Sequence, residues 1–292
     1  MRRVLLIGKT GQLGGEIFKI APSFGCEIIA PDSKEFNVID PEGVQNKVKA
    51  ISPDWVINTS AYNATTKAEE EVQAAFSLNF GAVRSMAKIC QALGIKFVTY
   101  STDYVFDGTK GVPYVEADCP NPLQVYGMSK LAGEYAALNY YPEGSYVIRT
   151  CGLYGGKIGS PVKGNVVLNF LKEAKNNAAI KVSSEQIASP TYAGDLAEAS
   201  LKLIKINAPA GIYHLINEGH CSWYEFAKEV LRLAGINTKI IPVDRVGQSG
   251  GIRRPKFSVL ANAKAKKLGI VLRPWQEGLK SYVEFLKEEK VI

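Results

Sequence analysis

Histidine is almost absent from this chain: His214 and His220 are the only two among 292 residues. His214 falls inside the strand-like stretch Gly211-Ile212-Tyr213-His214-Leu215 and reads as a packed residue, so no metal ligand is assigned and no metal site is expected. The five cysteines, Cys26, Cys90, Cys119, Cys151 and Cys221, show no paired spacing. That excludes a zinc motif and a disulfide framework, and makes a reducing cytoplasm the expected compartment. Long apolar runs are missing too: no stretch reaches the roughly 18 residues a membrane span needs. The run Val4 to Ile7 after Arg2 and Arg3 stops at Gly8 and Lys9, too short for an export segment. There is no internal repeat and no low-complexity linker. The net charge of +7 comes from basic residues spread along the chain, with small clusters at Arg253-Arg254 and at Lys264, Lys266 and Lys267. No aromatic residues interleave with them as a base-stacking tract requires, so nucleic acid is not an expected partner. A solvated surface accounts for the charge, and an anionic small substrate would suit it.

What is present is a soluble enzyme's composition, with 46% apolar residues and enough chain to bury a large core. The first half alternates strand and helix. Val4 to Ile7, Glu27 to Ala30, Asp54 to Asn58, Lys96 to Tyr100 and Tyr146 to Arg149 read as strands, with helices at Pro41 to Ile51 and Ala74 to Leu93. Such alternation implies parallel strands joined by right-handed crossovers, hence an α/β, doubly wound (Rossmann-type) sheet. Residues 1–150 are expected to form a dinucleotide-binding domain, rejoined by about 190–215, and 151–292 a smaller C-terminal α/β substrate-binding portion. In that second half Val166 to Lys175, Asp195 to Lys205, Trp223 to Ala234 and Trp275 to Glu289 read as helices. The loop Val246 to Phe257, with Gly247, Gly250 and Gly251 beside Arg253 and Arg254, reads as a mobile segment able to close over a ligand.

Ligands of such sheets bind beyond the carboxyl ends of the strands. The glycines of Gly8-Lys9-Thr10-Gly11-Gln12-Leu13-Gly14 follow the first strand and open a helix. This is the setting in which a glycine-rich turn cradles a pyrophosphate at a helix N-terminus. Asp32, after the second strand, is placed to accept from adenosine ribose hydroxyls, which favours NADH, whereas Lys34 could meet a 2′-phosphate, which favours NADPH. Both cofactors stay open.

Tyr126-Gly127-Met128-Ser129-Lys130 puts a phenol and an ammonium group one helical turn apart. A phenol titrates near ~10, and a lysine cation beside it is expected to lower that value, giving an acid or base usable near neutrality. Alone the pattern is weak; its setting after a dinucleotide turn gives it weight.

Together these stretches resemble the extended short-chain dehydrogenase/reductases, and within them the dTDP-4-dehydrorhamnose reductases. The likeness runs nearly end to end. It includes the glycine turn, Ala61-Tyr62 with Lys67-Ala68-Glu69, Ser101 to Gly108, Tyr126 to Glu134, Arg149-Thr150 with Leu153-Tyr154-Gly155, Pro190-Thr191, and Arg254-Pro255 with Ser258 and Leu260. The resemblance implies reduction of the C4 ketone of a dTDP-linked deoxysugar by NADPH or NADH, in the synthesis of cell-surface polysaccharide precursors. Tyr126 would give the proton, Lys130 would lower its pKa and hold the nicotinamide ribose, and Thr102 would hydrogen-bond the carbonyl oxygen. The expected cofactor contacts are Gly8, Thr10, Gly11, Gln12, Leu13, Gly14, Asp32, Asn37, Val38, Ser60, Ala61, Tyr62, Asn79, Tyr126 and Lys130. The expected substrate contacts are Thr102, Asp103, Tyr104, Tyr126, Gly152 and Arg254. The resemblance leaves room for a homodimer.

Departures concern the sugar. Where the family commonly has tryptophan after Arg-Thr-Ser, this chain reads Arg149-Thr150-Cys151-Gly152, which implies a wider sugar pocket. Thr65-Thr66 replaces a Val-Asp pair, and an Asn-Phe pair survives only as Asn165-Val166. Two rival readings remain. A nucleotide-sugar 4,6-dehydratase would carry an acidic pair after the threonine, whereas Asp103 is followed by Tyr104. A non-catalytic regulator like the methionine adenosyltransferase β subunit would keep much of the motif set.

Overall fold

The computed structural model describes residues 1–156, 164–244 and 252–292. Of the loop Val246 to Phe257 expected to close over a ligand, the first half, residues 246–251, lies outside them. In chain order the elements are β1 (Arg2–Ile7), α1 (Gln12–Ile20), β2 (Cys26–Ile29), α2 (Pro41–Ile51), β3 (Trp55–Asn58), α3 (Val72–Phe76), α4 (Val83–Leu93), β4 (Lys96–Thr102), α5 (Val125–Tyr140) and β5 (Ser145–Thr150). They continue with β6 (Leu153–Tyr154), α6 (Val166–Asn176), β7 (Ala179–Ser183), β8 (Ile187–Ala188), β9 (Thr191–Tyr192), α7 (Ala193–Lys205) and β10 (Gly211–His214). The last are β11 (Cys221–Ser222), α8 (Trp223–Ala234), β12 (Lys239–Val243), α9 (Ala263–Lys267) and α10 (Trp275–Glu288).

Six of the strands form one parallel sheet in the order β10-β5-β4-β3-β1-β2. Their residues are apolar on both sides, because both faces are covered. Val4, Leu6, Trp55, Ile57, Val98, Tyr146 and Ile148 pack with Leu13 and Ile17 of α1 and Leu196 to Ile204 of α7. The alternate residues Leu5, Ile7, Val56, Phe97 and Val147 pack with Val44 and Val48 of α2, Met86 to Cys90 of α4 and Ala137 of α5. This is the period of two expected of strands buried on both faces. The chain leaves β1 for β2 on one side and reaches β3 on the other, so a crevice opens at the carboxyl ends of β1 and β3. Helix α1 lies close against the turn that precedes it: a Cβ on Gly14 would fall 2.1 Å from the Gly8 carbonyl oxygen, so only glycine fits there.

The C-terminal part has its own core, in which Tyr154, Val167, Leu171, Phe226, Trp275, Leu279 and Tyr282 meet between α6, α8 and α10. The parallel pair β7/β12 backs it. The two parts are interleaved, since α7 packs on the face of α1 and β10 pairs with β5. Local signals set the ends of these helices. Asp40 accepts from Gly43 N (3.2 Å) ahead of Pro41 at the start of α2, and Ser222 with Glu225 forms a capping box on α8.

Helix α5 is fixed to the sheet by a buried ion pair. Arg149 of β5 donates through Nε (2.9 Å and 3.1 Å) and Nη2 (2.6 Å) to the Glu134 carboxylate, with both side chains 2% exposed. The guanidinium also lies over the Phe106 ring, 5.1 Å from its centroid. His214 on β10 completes the row. Its Nδ1 is 3.1 Å from the Tyr114 carbonyl and 3.2 Å from that of Ala261, which assigns the proton to Nδ1 and leaves Nε2 facing Arg149 Nη1 at 3.5 Å. Burial and that guanidinium hold the imidazole down to about 3, so His214 is a neutral packed residue. Among the described residues no cluster of histidine, cysteine, aspartate or glutamate could hold a metal ion, and no helix is long and apolar enough to cross a membrane.

Removing one partner of a buried pair strands the other charge. Glu134→Gln should therefore lower stability by about 3–5 kcal/mol, while the double change Glu134→Leu with Arg149→Met should recover most of that loss. Urea unfolding of the three proteins checks this; a Glu134→Gln midpoint equal to that of the parent would remove the pair from its structural role.

Candidate active site

The carboxyl ends of β1 and β3 carry the glycine turn. Gly11 N donates to Gly8 O (2.9 Å), and the Thr59 hydroxyl donates to Ile7 O (2.7 Å), which ties the turn to the end of β3. Gly11 is the residue before α1, with no side-chain cap on that helix and no acidic residue in its first turn. The first backbone N–H groups are thus left to face an anion. A Cβ on Gly11 would meet only Gly8 O, at 3.3 Å; the rest of the space above it is open. Gln12 Oε1 is buried with no hydrogen-bond partner. The open row of backbone N–H donors fits a pyrophosphate, whereas Gln12 Oε1 is an acceptor and adds nothing to that fit. Leu13 differs from its expected role, because its side chain is buried in the core against the sheet and only its backbone can face the cradle.

Beside the cradle lies a cavity of about 140 Å³ lined by Gly8, Lys9, Thr10, Asp32, Asn37, Val38 and Ser60 among others. Asp32 is paired there, with Lys9 Nζ 3.2 Å from its Oδ1. Lys34 is exposed and does not line the cavity, so the cation beside Asp32 comes from the glycine turn and not from Lys34. Sequence reasoning passed over Lys9, although its place between Gly8 and Thr10 was a usable signal.

The loop after β3 forms the other wall. Asn58 Oδ1 accepts from Ser60 N (3.1 Å) and Ser60 Oγ (2.5 Å). Asn79 was expected at the cofactor, but its amide is engaged elsewhere: Oδ1 accepts from Tyr62 N (2.9 Å), and Nδ2 donates to Tyr62 O (3.0 Å) and Ser129 Oγ (3.0 Å). It sits in a π-helical turn, Ser77–Ala82, between α3 and α4. From there it holds the Ser60-Ala61-Tyr62 loop against α5. The Tyr62 hydroxyl donates to Glu71 Oε2 (2.5 Å), which pushes the phenol up to about 12.

Across the crevice, α5 starts at a fixed point. Gln124 Oε1 accepts from Gly127 N (2.6 Å) and Glu69 Oε1 from Val125 N (2.8 Å). A Cβ on Gly127 would fall 2.3 Å from Tyr104 O, so the helix sits directly on that backbone. Its next turns face β4. Tyr126 meets the Thr102 hydroxyl, and Lys130 Nζ donates to Tyr100 O. The spacing matches, since four helical residues rise ~6 Å and two strand residues span ~6.7 Å.

The electrostatics differ from the expectation that Lys130 lowers the Tyr126 pKa. Burial raises the Tyr126 phenol well above its ordinary value, the Thr102 hydroxyl pulling it partly back. The ammonium is directed to the Tyr100 carbonyl instead. Burial also brings Lys130 down to about 8, against the opposing pull of Glu134.

Asp103 was expected at the substrate. It lies behind Thr102, 3% exposed, with Oδ1 3.1 Å from Thr102 Oγ1 and with Cys151 and Ser258 about its carboxyl, which burial raises above the usual carboxylate range. It backs the threonine and does not face the crevice. Tyr104 stands edge-on to Tyr126, ring centroids 6.3 Å apart at 81°. Its hydroxyl accepts from Gln186 Nε2 (3.2 Å), and burial pushes it up to about 12 against the pull of Arg254. Arg254 is half-buried, its Nε without a partner. Gly152 follows β5 but does not widen the site, since the Trp223 ring lies against it. Gln186 and Trp223 carry no motif, and only the return of the chain from the C-terminal part brings them here.

A glycine cradle at a helix N-terminus, a buried lysine and a phenol beside a threonine are groups that nicotinamide-dependent carbonyl chemistry can use. A model of the RmlD substrate binding domain matches residues 1–288 of this chain. The chain belongs to that family. It is 37% identical to the spore coat polysaccharide biosynthesis protein SpsK of Bacillus subtilis, over 97% of this chain and 98% of that one. It is 36% identical to the dTDP-4-dehydrorhamnose reductase of Escherichia coli, over 95% of each. The crystal structure of the Bacillus anthracis dTDP-4-dehydrorhamnose reductase in complex with NADP superposes with a TM-score of 0.90 at 33% identity, covering 96% of this chain and 98% of that one.

Two outcomes follow from the cofactor side of this RmlD-family site. Gly11→Val should fold and lose NADH and NADPH binding together, because its side chain enters the cradle; calorimetric titration with retained binding would remove the cradle from the phosphate path. Lys9→Met should weaken NADPH by about tenfold and NADH less, as the loss of a hydrogen bond to a charged group predicts. An unchanged ratio of the two dissociation constants would show that Lys9 serves only Asp32.

Proposed function

We propose that this chain reduces the C4 ketone of dTDP-4-dehydro-6-deoxy-L-mannose to give dTDP-L-rhamnose, with NADPH or NADH, in the cytoplasmic synthesis of a cell-surface polysaccharide precursor. The observation that carries the reading is the pairing of Tyr126 with Thr102 at the mouth of the sheet, one turn from Lys130, beside the glycine cradle. Family membership supports the sugar nucleotide, and the NADP complex of the Bacillus anthracis relative supports the cofactor.

A reduced nicotinamide bound along the cradle supplies the hydride. The rest falls to this chain's side chains. Gly11, Gln12 and the N-terminus of α1 hold the pyrophosphate, with Asp32 and Lys9 at the adenosine ribose. Lys130 holds the nicotinamide ribose. Tyr126 directs its hydroxyl at the ketone oxygen, and Thr102, whose hydroxyl donates to Asp103 Oδ1 (3.1 Å) in the free protein, would turn its proton to the same oxygen. As that oxygen gains negative charge, the Tyr126 O–H bond breaks and its proton completes the alcohol; solvent returns a proton to the phenolate. Because burial raises the phenol, Tyr126 is protonated at neutral pH, which is the state a reduction needs. The developing alkoxide is the base that takes the phenol's proton. Gln186, Tyr104 and Arg254 form the substrate side, Arg254 with donors for a diphosphate. We assign residues 1–150, with 190–215, to cofactor binding and the remainder chiefly to the substrate.

The reading is tested by following nicotinamide absorbance with a panel of dTDP- and UDP-linked 4-keto sugars. Reduction of UDP sugars alone would keep the reductase and discard the rhamnose product. Dinucleotide binding without reduction of any sugar would leave a regulatory protein. Tyr126→Phe should lose about 10²–10⁴-fold in rate with cofactor binding retained, and Lys130→Met should lose both. Lys130 is charged below about 8 and neutral above it. The rate should therefore fall as pH rises through about 8, and Lys130→Arg should move that limb to higher pH.

A further inference from the structure

A hydroxyl offers one proton and two lone pairs, and those of Thr102 can be accounted for in full. Its proton goes to Asp103 Oδ1 at 3.1 Å. One lone pair accepts from Tyr104 N at 3.2 Å. With the proton directed inward, its contact with the Tyr126 phenol is made through the second lone pair, so the phenol is the donor. The protons of the free protein therefore run one way, from Tyr126 to Thr102 to Asp103. A ketone oxygen carries only lone pairs and finds no donor in this row. Resting on the reductase reading, we propose that Asp103 is a positioning residue that takes up a proton when the ketone binds and, as a neutral acid, donates to Thr102, which turns the Thr102 proton outward to the ketone oxygen.

A carboxylate can only accept, whereas a carboxylic acid also donates. With Asp103 neutral, its O–H and Tyr104 N fill both lone pairs of Thr102, and the remaining proton can only point out. Were Asp103 to stay charged, the same turn would strip a buried carboxylate of a donor, a costly loss. Asp103 is 3% exposed. Burial raises its carboxyl while Ser258, Cys151 and Thr102 lower it, so withdrawing the Thr102 proton moves it further up. The titratable groups facing it are Tyr104 from the same turn, Tyr126 from α5 and Cys151 beyond β5, each raised by its charge, and Arg254 of the C-terminal part faces Tyr104. All three are neutral at pH 7, which leaves the carboxylate as the member that titrates. The row supplies the route from solvent: a proton entering at Tyr126 displaces the phenol's own to Thr102 and that of Thr102 to Asp103, and every O–H then points outward. Only O–H bonds form and break, and the proton returns to solvent when the alcohol leaves. A neutral Asp103 also removes a negative charge from behind the oxygen that becomes an alkoxide.

The test is calorimetric titration of the protein loaded with oxidised NADP, which cannot turn over, with a dTDP-4-keto sugar in two buffers of different ionisation enthalpy. The difference counts the protons taken up on binding. The ketone should take up as much as about one proton per site, and its Kd should rise with pH by up to about tenfold per unit. The product dTDP-L-rhamnose, whose C4 hydroxyl can donate to Thr102 as it stands, should take up none. Asp103→Asn and Thr102→Val, each close in shape to the parent, should both abolish the uptake, with an NADPH dissociation constant at the parent value reporting that each is folded. Uptake kept in either variant, or equal uptake with the alcohol, overturns the proposal and moves the proton elsewhere, as to Lys130. A parent that reduces no sugar nucleotide sinks the reductase reading and this proposal with it. A parent that reduces the sugar and yet binds the ketone without taking up a proton overturns the proposal alone.

Discussion

The buried pair between Glu134 and Arg149 holds α5, with Tyr126 and Lys130 on it, in place on the sheet. Tyr126, Lys130 and Glu134 are spaced four apart on α5, so they lie along one stripe of the helix. Each meets the sheet at a different depth: Tyr126 at Thr102, Lys130 at the Tyr100 carbonyl, and Glu134 at Arg149. The innermost contact is dry and bidentate, which makes its geometry the most exacting. It fixes the rotation of the helix, and the two outer contacts inherit their aim. The Glu69 and Gln124 contacts at the first turn then fix its translation.

Burial shapes the chemistry more than pairing does. The tyrosine and lysine are drawn into the same low-dielectric region, and desolvation acts on them in opposite senses, raising the phenol and lowering the ammonium. Both shifts favour the neutral form. A neutral phenol is an acid held ready for an alkoxide, and an ammonium brought to about 8 keeps its charge at neutral pH with little margin. Asp103 is under the same pressure behind Thr102. There it accepts from the Thr102 hydroxyl.

The crevice is shared between the two parts of the chain. The cofactor side is built from loops that follow β1, β2 and β3, close together in sequence. The proposed sugar side is composite: Thr102 and Tyr104 follow β4, Gly152 follows β5, and Gln186 and Arg254 arrive from the C-terminal part. Interleaving through α7 and β10 joins these contributions to one sheet.

The sequence alone determined the parallel sheet, since strands buried on both faces must read as apolar runs and cannot imitate an amphipathic helix. It also located the glycine cradle and the Tyr126/Lys130 pair, because a tight turn and a one-turn spacing are local constraints written in adjacent residues. Tertiary structure decided what those residues face. The partner of Asp32 is Lys9 and not Lys34, the amide of Asn79 supports a loop, Asp103 points inward, and Lys130 reaches a carbonyl instead of the phenol. None of these can be read from spacing, because side-chain aim depends on packing between distant segments. Position 152 shows this most plainly: nothing beside it in sequence announces that the ring of Trp223, 71 residues further along the chain, lies against its backbone.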